Sequence, residues 1–216
     1  MDRLPPILFQ NEGLVVLDKP AGLPVHAGPR GGASVEDWFG QLSRRRSGPW
    51  LAHRLDQDTA GCLVVALRRA ALVEAQALFA AGSVQKTYWA IVAGEPPAES
   101  GVVDAPLAKR SRPGAWRMAV DPAGQSAQTA WRVRGRADGR SWLELTPRTG
   151  RTHQIRVHCA HLGCPLVGDP VYGTPGGDRL QLLARAIALP MAEPVHAIAP
   201  PPPHMVGGLR KLGWSV

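Results

Sequence analysis

The apolar residues of this chain come mostly in short unbroken runs, with helical spacing in a few stretches. Leu14-Val15-Val16-Leu17 predicts a buried strand, and it runs into a loop dense in proline and glycine from Asp18 to His26. Ser34-Val35-Glu36-Asp37 predicts a helix start, with Ser34 as N-cap and acidic residues in the first turn. That helix would carry Trp38, Phe39 and Leu42 inward and stop at the basic, breaker-rich segment Arg44 to Pro49. Gly61 to Leu67 is the clearest buried strand. Residues 68–81 place Ala71, Leu72, Ala75, Leu78 and Phe79 at helical spacing, with Gly82 as C-cap. Residues 86–93 predict a strand, as do 128–134 and 141–146, with Asp138-Gly139 as the hairpin turn between the last two. Residues 151–162 predict a helix with Ile155, Cys159 and Leu162 on one face. The tail from 190 is proline-rich, with four prolines in a row at 200–203, and is expected to be extended or loop. Strands mostly follow strands, so the fold class is α+β with a largely antiparallel sheet. No repeat and no linker is evident, which predicts one domain over 1–216.

Charge adds a partner class. The 216 residues carry 25 Lys+Arg against 17 Asp+Glu, a formal net charge of +8. Such an excess favours nucleic acid, although a basic protein need bind nothing anionic. Only Lys19, Lys86, Lys109 and Lys211 are lysines; the other cations are arginines, suited to bidentate phosphate contacts and stacking on bases. No apolar run approaches the ~20 residues of a membrane helix, and no signal-peptide pattern opens the chain, so a cytoplasmic protein is expected. Cys62, Cys159 and Cys164 are odd in number and read as reduced thiols, Cys62 and Cys159 as small core residues. The last two lie near His153, His158 and His161, but with no CxxC pair and no HExxH the expectation is no metal.

Three segments crowd polar residues against apolar strands. In the first, residues 52–61, Asp56 precedes the buried strand; it either needs a cationic partner or bonds its own backbone in a turn. The second, Arg148 to His158, puts three arginines within nine residues at a predicted helix N-terminus, a natural anion site or a solvated basic face. In the third, Lys86-Thr87-Tyr88, the tyrosine can stack on a base or cover the core edge.

These segments resemble the RluA-type family of RNA pseudouridine synthases. His53-Arg54-Leu55-Asp56-Gln57-Asp58-Thr59-Ala60-Gly61 resembles its HRLDxxTSG signature. Arg151-Thr152-His153-Gln154-Ile155-Arg156-Val157-His158, with Gly168-Asp169 and Tyr172-Gly173 after it, resembles its GRTHQIRVH…GD..YG block. Lys86-Thr87-Tyr88 matches KTY, and Lys19 to His26 matches KPAGLPVH. The matches occur in family order over about residues 11–190, leaving 191–216 as a proline-rich C-terminal segment. Ala60 replaces the family's usual Ser, and Leu182-Leu183-Ala184-Arg185 stands where Leu-His-Ala is common.

The resemblance implies a single catalytic domain without an S4 domain. Its mixed, mostly antiparallel sheet would be flanked by helices and loops and crossed by an active-site cleft. It implies a cofactor-independent isomerase that turns a uridine of a ribosomal or transfer RNA stem-loop into pseudouridine, working as a monomer without membrane or metal. Asp56, Tyr88 and Arg151 would be catalytic. Arg54, His53, Thr59, Thr152, Gln154, Arg156 and His158 would bind substrate. Arg54 and Asp56, two apart, would share one strand face. Arg44 to Arg46, Arg132, Arg134 and Arg136 are candidate RNA backbone contacts. Two rival readings are a non-catalytic RNA-binding or chaperone protein on the same fold, and a metal-dependent hydrolase using His153, His158 and His161.

Overall fold

The computed structural model describes residues 4–28, 31–44, 47–113, 115–173 and 177–215. In chain order the elements are β1 (Ile7–Gln10), β2 (Leu14–Lys19), α1 (Phe39–Leu42), β3 (Trp50–Leu51), β4 (Ala60–Ala66), α2 (Arg69–Ala80), β5 (Gln85–Ala93), β6 (Ser100–Asp104), β7 (Leu107–Arg112), β8 (Ala115–Val120), β9 (Gln128–Ala137), β10 (Arg140–Pro147), α3 (Gln154–His161), β11 (Leu182–Leu189), β12 (Val195–Ile198) and α4 (Pro203–Lys211). They form two compact units, one of Met1–Lys86 with Leu183–Pro202, the other of Thr87–Leu182 with Pro203–Val216.

The first unit is organised around β4, every residue of which is buried. An antiparallel β2 lies along one edge of β4 and pairs in turn with β1. The other edge is shared: β11 pairs in parallel at Ala60 and Gly61, and β3 pairs antiparallel at Val65 and Ala66. β12 closes on β11 as an antiparallel neighbour. The parallel pairing depends on Gly61, which sits at φ 107° with no room for a Cβ against the Ala184 carbonyl. Only glycine adopts that backbone conformation without strain.

In the second unit, β5, β10, β9 and β6 form an antiparallel sheet in that order. Asp138 and Gly139 turn between β9 and β10 with φ of 51° and 67°, the paired positive values of a two-residue hairpin. One face of the sheet buries Ala90, Val92, Leu143 and Leu145 against Ile155 and Cys159 of α3. Side chains alternate along β5, so Trp89 and Ile91 lie on the opposite face. There the C-terminal segment packs: a Cβ on Gly208 of α4 would meet Ile91, and a Cβ on Gly135 would overlap the Leu212 carbonyl.

Several expectations are corrected. The segment after Ser34 is a 3-10 turn (Val35–Trp38) followed by the single turn α1, not one amphipathic helix. Trp38 is buried, but Phe39 and Leu42 are only half-buried. The proline-rich tail is not loop: it supplies β12 and α4, since proline is well tolerated in the first turn of a helix and Met205 and Leu209 bury completely. Of the basic run 44–46, Arg45 and Arg46 lie outside the described residues. Replacing Gly61 by Ala should destabilise the protein by about 3 kcal/mol, from positive-φ strain and the Ala184 overlap; urea denaturation measures it, and an unchanged midpoint would refute this account of the β4–β11 pairing.

Candidate active site

In the first unit the residues between β3 and β4 bend rather than extend. The Thr59 N–H donates to the Asp56 carbonyl at 3.1 Å, making Asp56 the first residue of a turn, a position aspartate favours. The expected strand alternation of Arg54 and Asp56 is therefore corrected, because period two holds only along an extended strand. Arg54 is exposed, Asp56 half-buried and Thr59 buried.

What fixes this turn is Lys19, which the sequence pattern assigns to the loop after the first buried strand. It ends β2 and is completely buried. Its ammonium donates to three carbonyls, those of Pro20 (2.9 Å), Leu23 (2.8 Å) and Gln57 (2.8 Å). Three protons meet three acceptors, so a charge that would otherwise be costly to bury is fully solvated by backbone. Burial pushes Lys19 down to about 8, opposed by the charges of Asp58 and Asp56, so it is mostly ionised at neutral pH. Gln57, the residue after Asp56, also accepts from Gly22 N–H at 3.0 Å. The KPAG loop and the Asp56 turn are thus fastened together. The signal in the sequence was a lone lysine at the end of an apolar strand.

His53 does structural work beside them. Its Nε2 accepts the Val64 N–H at 3.0 Å, taking the place of a strand partner on β4. Burial, and then the charge of Lys86, lower it to about 4, so at neutral pH the ring is uncharged, as an acceptor must be. Phe79 of α2 packs on it at 4.8 Å. Beside it opens a cavity of about 400 Å³ lined by His26, Glu36, Trp50, His53, Arg54 and Gln76.

In the second unit the predicted helix start is shifted. α3 begins at Gln154, and His153 before it holds a left-handed φ of 54°. Arg151 and Thr152 therefore precede the helix, both exposed. The Gln154 side chain anchors the turn: its Oε1 accepts from the Thr149 hydroxyl (2.7 Å) and the Arg151 N–H (3.0 Å). Its Nε2 donates to the Gln128 carbonyl and to Thr129 Oγ1, both at 3.0 Å. Arg151 is held at Nε by the Ser126 carbonyl at 3.0 Å.

Three of the expected substrate contacts turn inward. Gln154, Arg156 and His158 are all buried. Because the Ala105 carbonyl can only accept, His158 Nε2 carries the proton, and Nδ1 accepts from Thr129. That leaves neither ring nitrogen available to a metal. Among the described residues, no three His, Cys, Asp or Glu side chains gather as metal ligands.

Arg156 makes a bidentate pair with Asp169, 2.7 Å at each contact. Burial alone would raise the Asp169 carboxyl. The Arg156 bonds and charge, with the Val171 and Tyr172 amides, instead hold it below the usual carboxylate range. Asp169 and Tyr172 belong to the matched motif, and the sequence alone assigns them no roles. Tyr172 Oη accepts the Met118 N–H at 3.0 Å and so can donate to His153 Nδ1 at 2.8 Å, while Trp116 stacks on the imidazole at 5.2 Å. Tyr88 of β5 is half-buried and packs against the α3-facing core.

Two outcomes follow from the first unit. Lys19→Met should cost about 3 kcal/mol of stability, as three carbonyls lose a charged donor; a loss below half a kilocalorie would show that the loops hold without it. His53 has a folded value below its unfolded 6.5, so its contribution is complete above pH 6.5 and is lost as pH falls through 4. Between pH 7 and 4.5, His53→Gln should therefore lose about 2 kcal/mol less than the native protein in urea melts. Parallel losses would contradict the neutral imidazole.

Known proteins resemble this chain in sequence and in fold. The sequence model of the RNA pseudouridylate synthases matches residues 13–161. The chain is 40% identical over 204 residues to an uncharacterized RNA pseudouridine synthase of Zymomonas mobilis, covering 91% of this chain and 93% of that one. It is 42% identical over 173 residues to the ribosomal large subunit pseudouridine synthase D of Pseudomonas aeruginosa, covering 77% of this chain but 53% of that protein. The chain thus spans about half the length of that ribosomal relative. The solved structure of human RNA Pseudouridylate Synthase Domain Containing 4 is similar at a TM-score of 0.82 and 29% identity, over 97% of this chain and 94% of that one. With the motifs in place and the match covering most of its length, the chain belongs to the RNA pseudouridylate synthase family, isomerases that convert uridine to pseudouridine in RNA.

Proposed function

We propose that this protein isomerises a uridine in a stem-loop of ribosomal RNA, with Asp56 as the catalytic carboxylate. The observation that carries the reading is the Asp56 turn, pinned through Gln57 to the buried Lys19 inside the family's own signature. A carboxylate fixed on a turn loses little conformational freedom when substrate binds, which favours reaction. The ribosomal substrate is supported by relatives named for the large ribosomal subunit, from Vibrio cholerae and Pseudomonas aeruginosa.

The N1–C1′ bond of the uridine breaks, the freed uracil turns, and C5 bonds to C1′. C5 gives up a proton and N1 gains one, so the product is an isomer and no oxidant or co-substrate is consumed. The base must first leave its stack to be reached. In this reading Tyr88 stacks on the uracil, and Arg151, exposed ahead of α3, acts on the reacting nucleotide through its guanidinium. Arg54, exposed at the rim of its cavity, holds the displaced nucleotide. Thr59 and Thr152 complete the substrate contacts. Gln154, Arg156, His158 and His53 support them from within, since their polar atoms are bonded to protein.

Asp56→Asn should fold with an unchanged melting temperature and form no pseudouridine in total RNA, scored by chemical mapping. Turnover in that variant would defeat the assignment. Arg151→Ala should cut turnover at least 100-fold, and Arg132→Ala less than tenfold, because only the first acts on the reacting group. Equal mild losses would reduce Arg151 to a phosphate contact.

A further inference from the structure

The sheet face of the second unit opposite Tyr88 carries a pocket of about 430 Å³. It is lined by Trp89, Val133, Arg134, Trp142, Trp214 and Ser215. Three of the chain's seven tryptophans therefore meet in one place. Nothing in the isomerisation uses them, and alternation along β5 puts Trp89 on the other side of the sheet from Tyr88.

The pocket is built by specific local structure. Gly135 pairs with Trp142 and Val133 with Leu143, so Arg134 is the extra residue of a β-bulge. Bulges re-aim side chains, and this one lays the Arg134 guanidinium over the Trp142 ring at 5.9 Å from its centroid. Trp89 meets Trp142 edge-on at 4.8 Å. The C-terminal segment closes the third side, seated on β9 at Gly135, with the Trp214 N–H bonded to the Leu209 carbonyl at 2.9 Å.

Its chemistry selects a ligand. The indole N–H of Trp142 is buried and has no hydrogen-bond partner among the described residues. Arg134 is exposed and makes no ion pair among the described residues. A guanidinium beside indole rings favours a planar group attached to an anion. A nucleotide has both features, a π-face to stack and a phosphate. An acidic peptide supplies the charge but not the ring.

We infer that this pocket is a second RNA site, which takes one unstacked nucleotide of the RNA outside the nucleotide being isomerised. The base stacks against the partly exposed Trp214, beside the buried Trp89 and Trp142, and its phosphate meets Arg134. The inference rests on RNA being the substrate, but not on the roles of Asp56, Tyr88 or Arg151.

The test uses the full chain, 15N-labelled, with its seven indole signals assigned by Trp→Phe variants. A single-stranded RNA octamer of mixed sequence should shift the signals of Trp89, Trp142 and Trp214. Inorganic phosphate should leave them in place. Trp214→Ala should weaken octamer binding on the order of tenfold, the effect of removing one stacking partner. Arg134→Glu, an exposed change that leaves the core alone, should weaken it comparably. AMP should bind far more weakly than the octamer; equal affinity would make this a mononucleotide site and overturn the RNA assignment. The proposal also fails if the protein makes pseudouridine while the three indoles stay unmoved and both variants bind the octamer normally. A protein inactive on RNA whose pocket indoles still shift would uphold the pocket and overturn the catalytic reading instead.

Discussion

The first unit depends on one buried ammonium. Lys19 has no exposed surface, and its three carbonyl acceptors come from two separate loops. A charge in that position imposes order, because any displacement of either loop leaves it short of an acceptor in a low-dielectric interior. A hydrophobic residue there would pack, but it would not specify where Gln57 sits. Since Gln57 follows Asp56, the specification passes directly to the carboxylate. The lysine is therefore a positional constraint as well as a source of stability.

The second unit solves the same problem with neutral groups. Thr129 on β9 accepts from Gln154 and donates to His158, so a strand hydroxyl ties together both ends of the polar side of α3. Gln154 in turn fixes the amide of Arg151 ahead of the helix. The amide oxygen of Gln154 thus ties the turn that precedes α3, at Thr149 and Arg151, to the first residue of the helix. His153 holds a left-handed backbone at the junction, an energetic cost accepted because Tyr172 and Trp116 fix its ring.

How far the sequence was legible follows from this physics. The β4 strand, α2 and the β9–β10 hairpin were readable because a local signal determines each: an apolar run, helical spacing, an Asp-Gly turn. The C-terminal strand and helix were not, because proline content says where a chain can bend and not whether tertiary packing will order it. Met205 and Leu209, not local propensity, hold α4 down. In the site, the motif points to Asp56 and Arg151 as residue types, but it does not separate exposed side chains from those bonded inside the protein. Arg156 and Arg151 look equivalent in sequence. The buried partner Asp169 distinguishes them, and it lies 13 residues farther along.

The same distinction applies to the net charge of +8. An arginine held by a neighbouring acid contributes little to the field felt by an approaching polyanion. Arg68 pairs with Glu12, Arg110 with Asp121, Arg136 with Glu99, Arg140 with Asp178 and Arg156 with Asp169. Arg132 and Arg134 lie exposed on β9 without an ion pair among the described residues. Arg136, two positions on, is neutralised. Along one strand, then, the excess is concentrated at 132 and 134, next to the cluster of indoles. Counterion release rewards phosphates that meet unneutralised cations. Each such ion pair removes one charge of either sign, so pairing leaves the net excess unchanged and decides only where it lies; on β9 the unpaired cations are Arg132 and Arg134, beside the cluster of indoles.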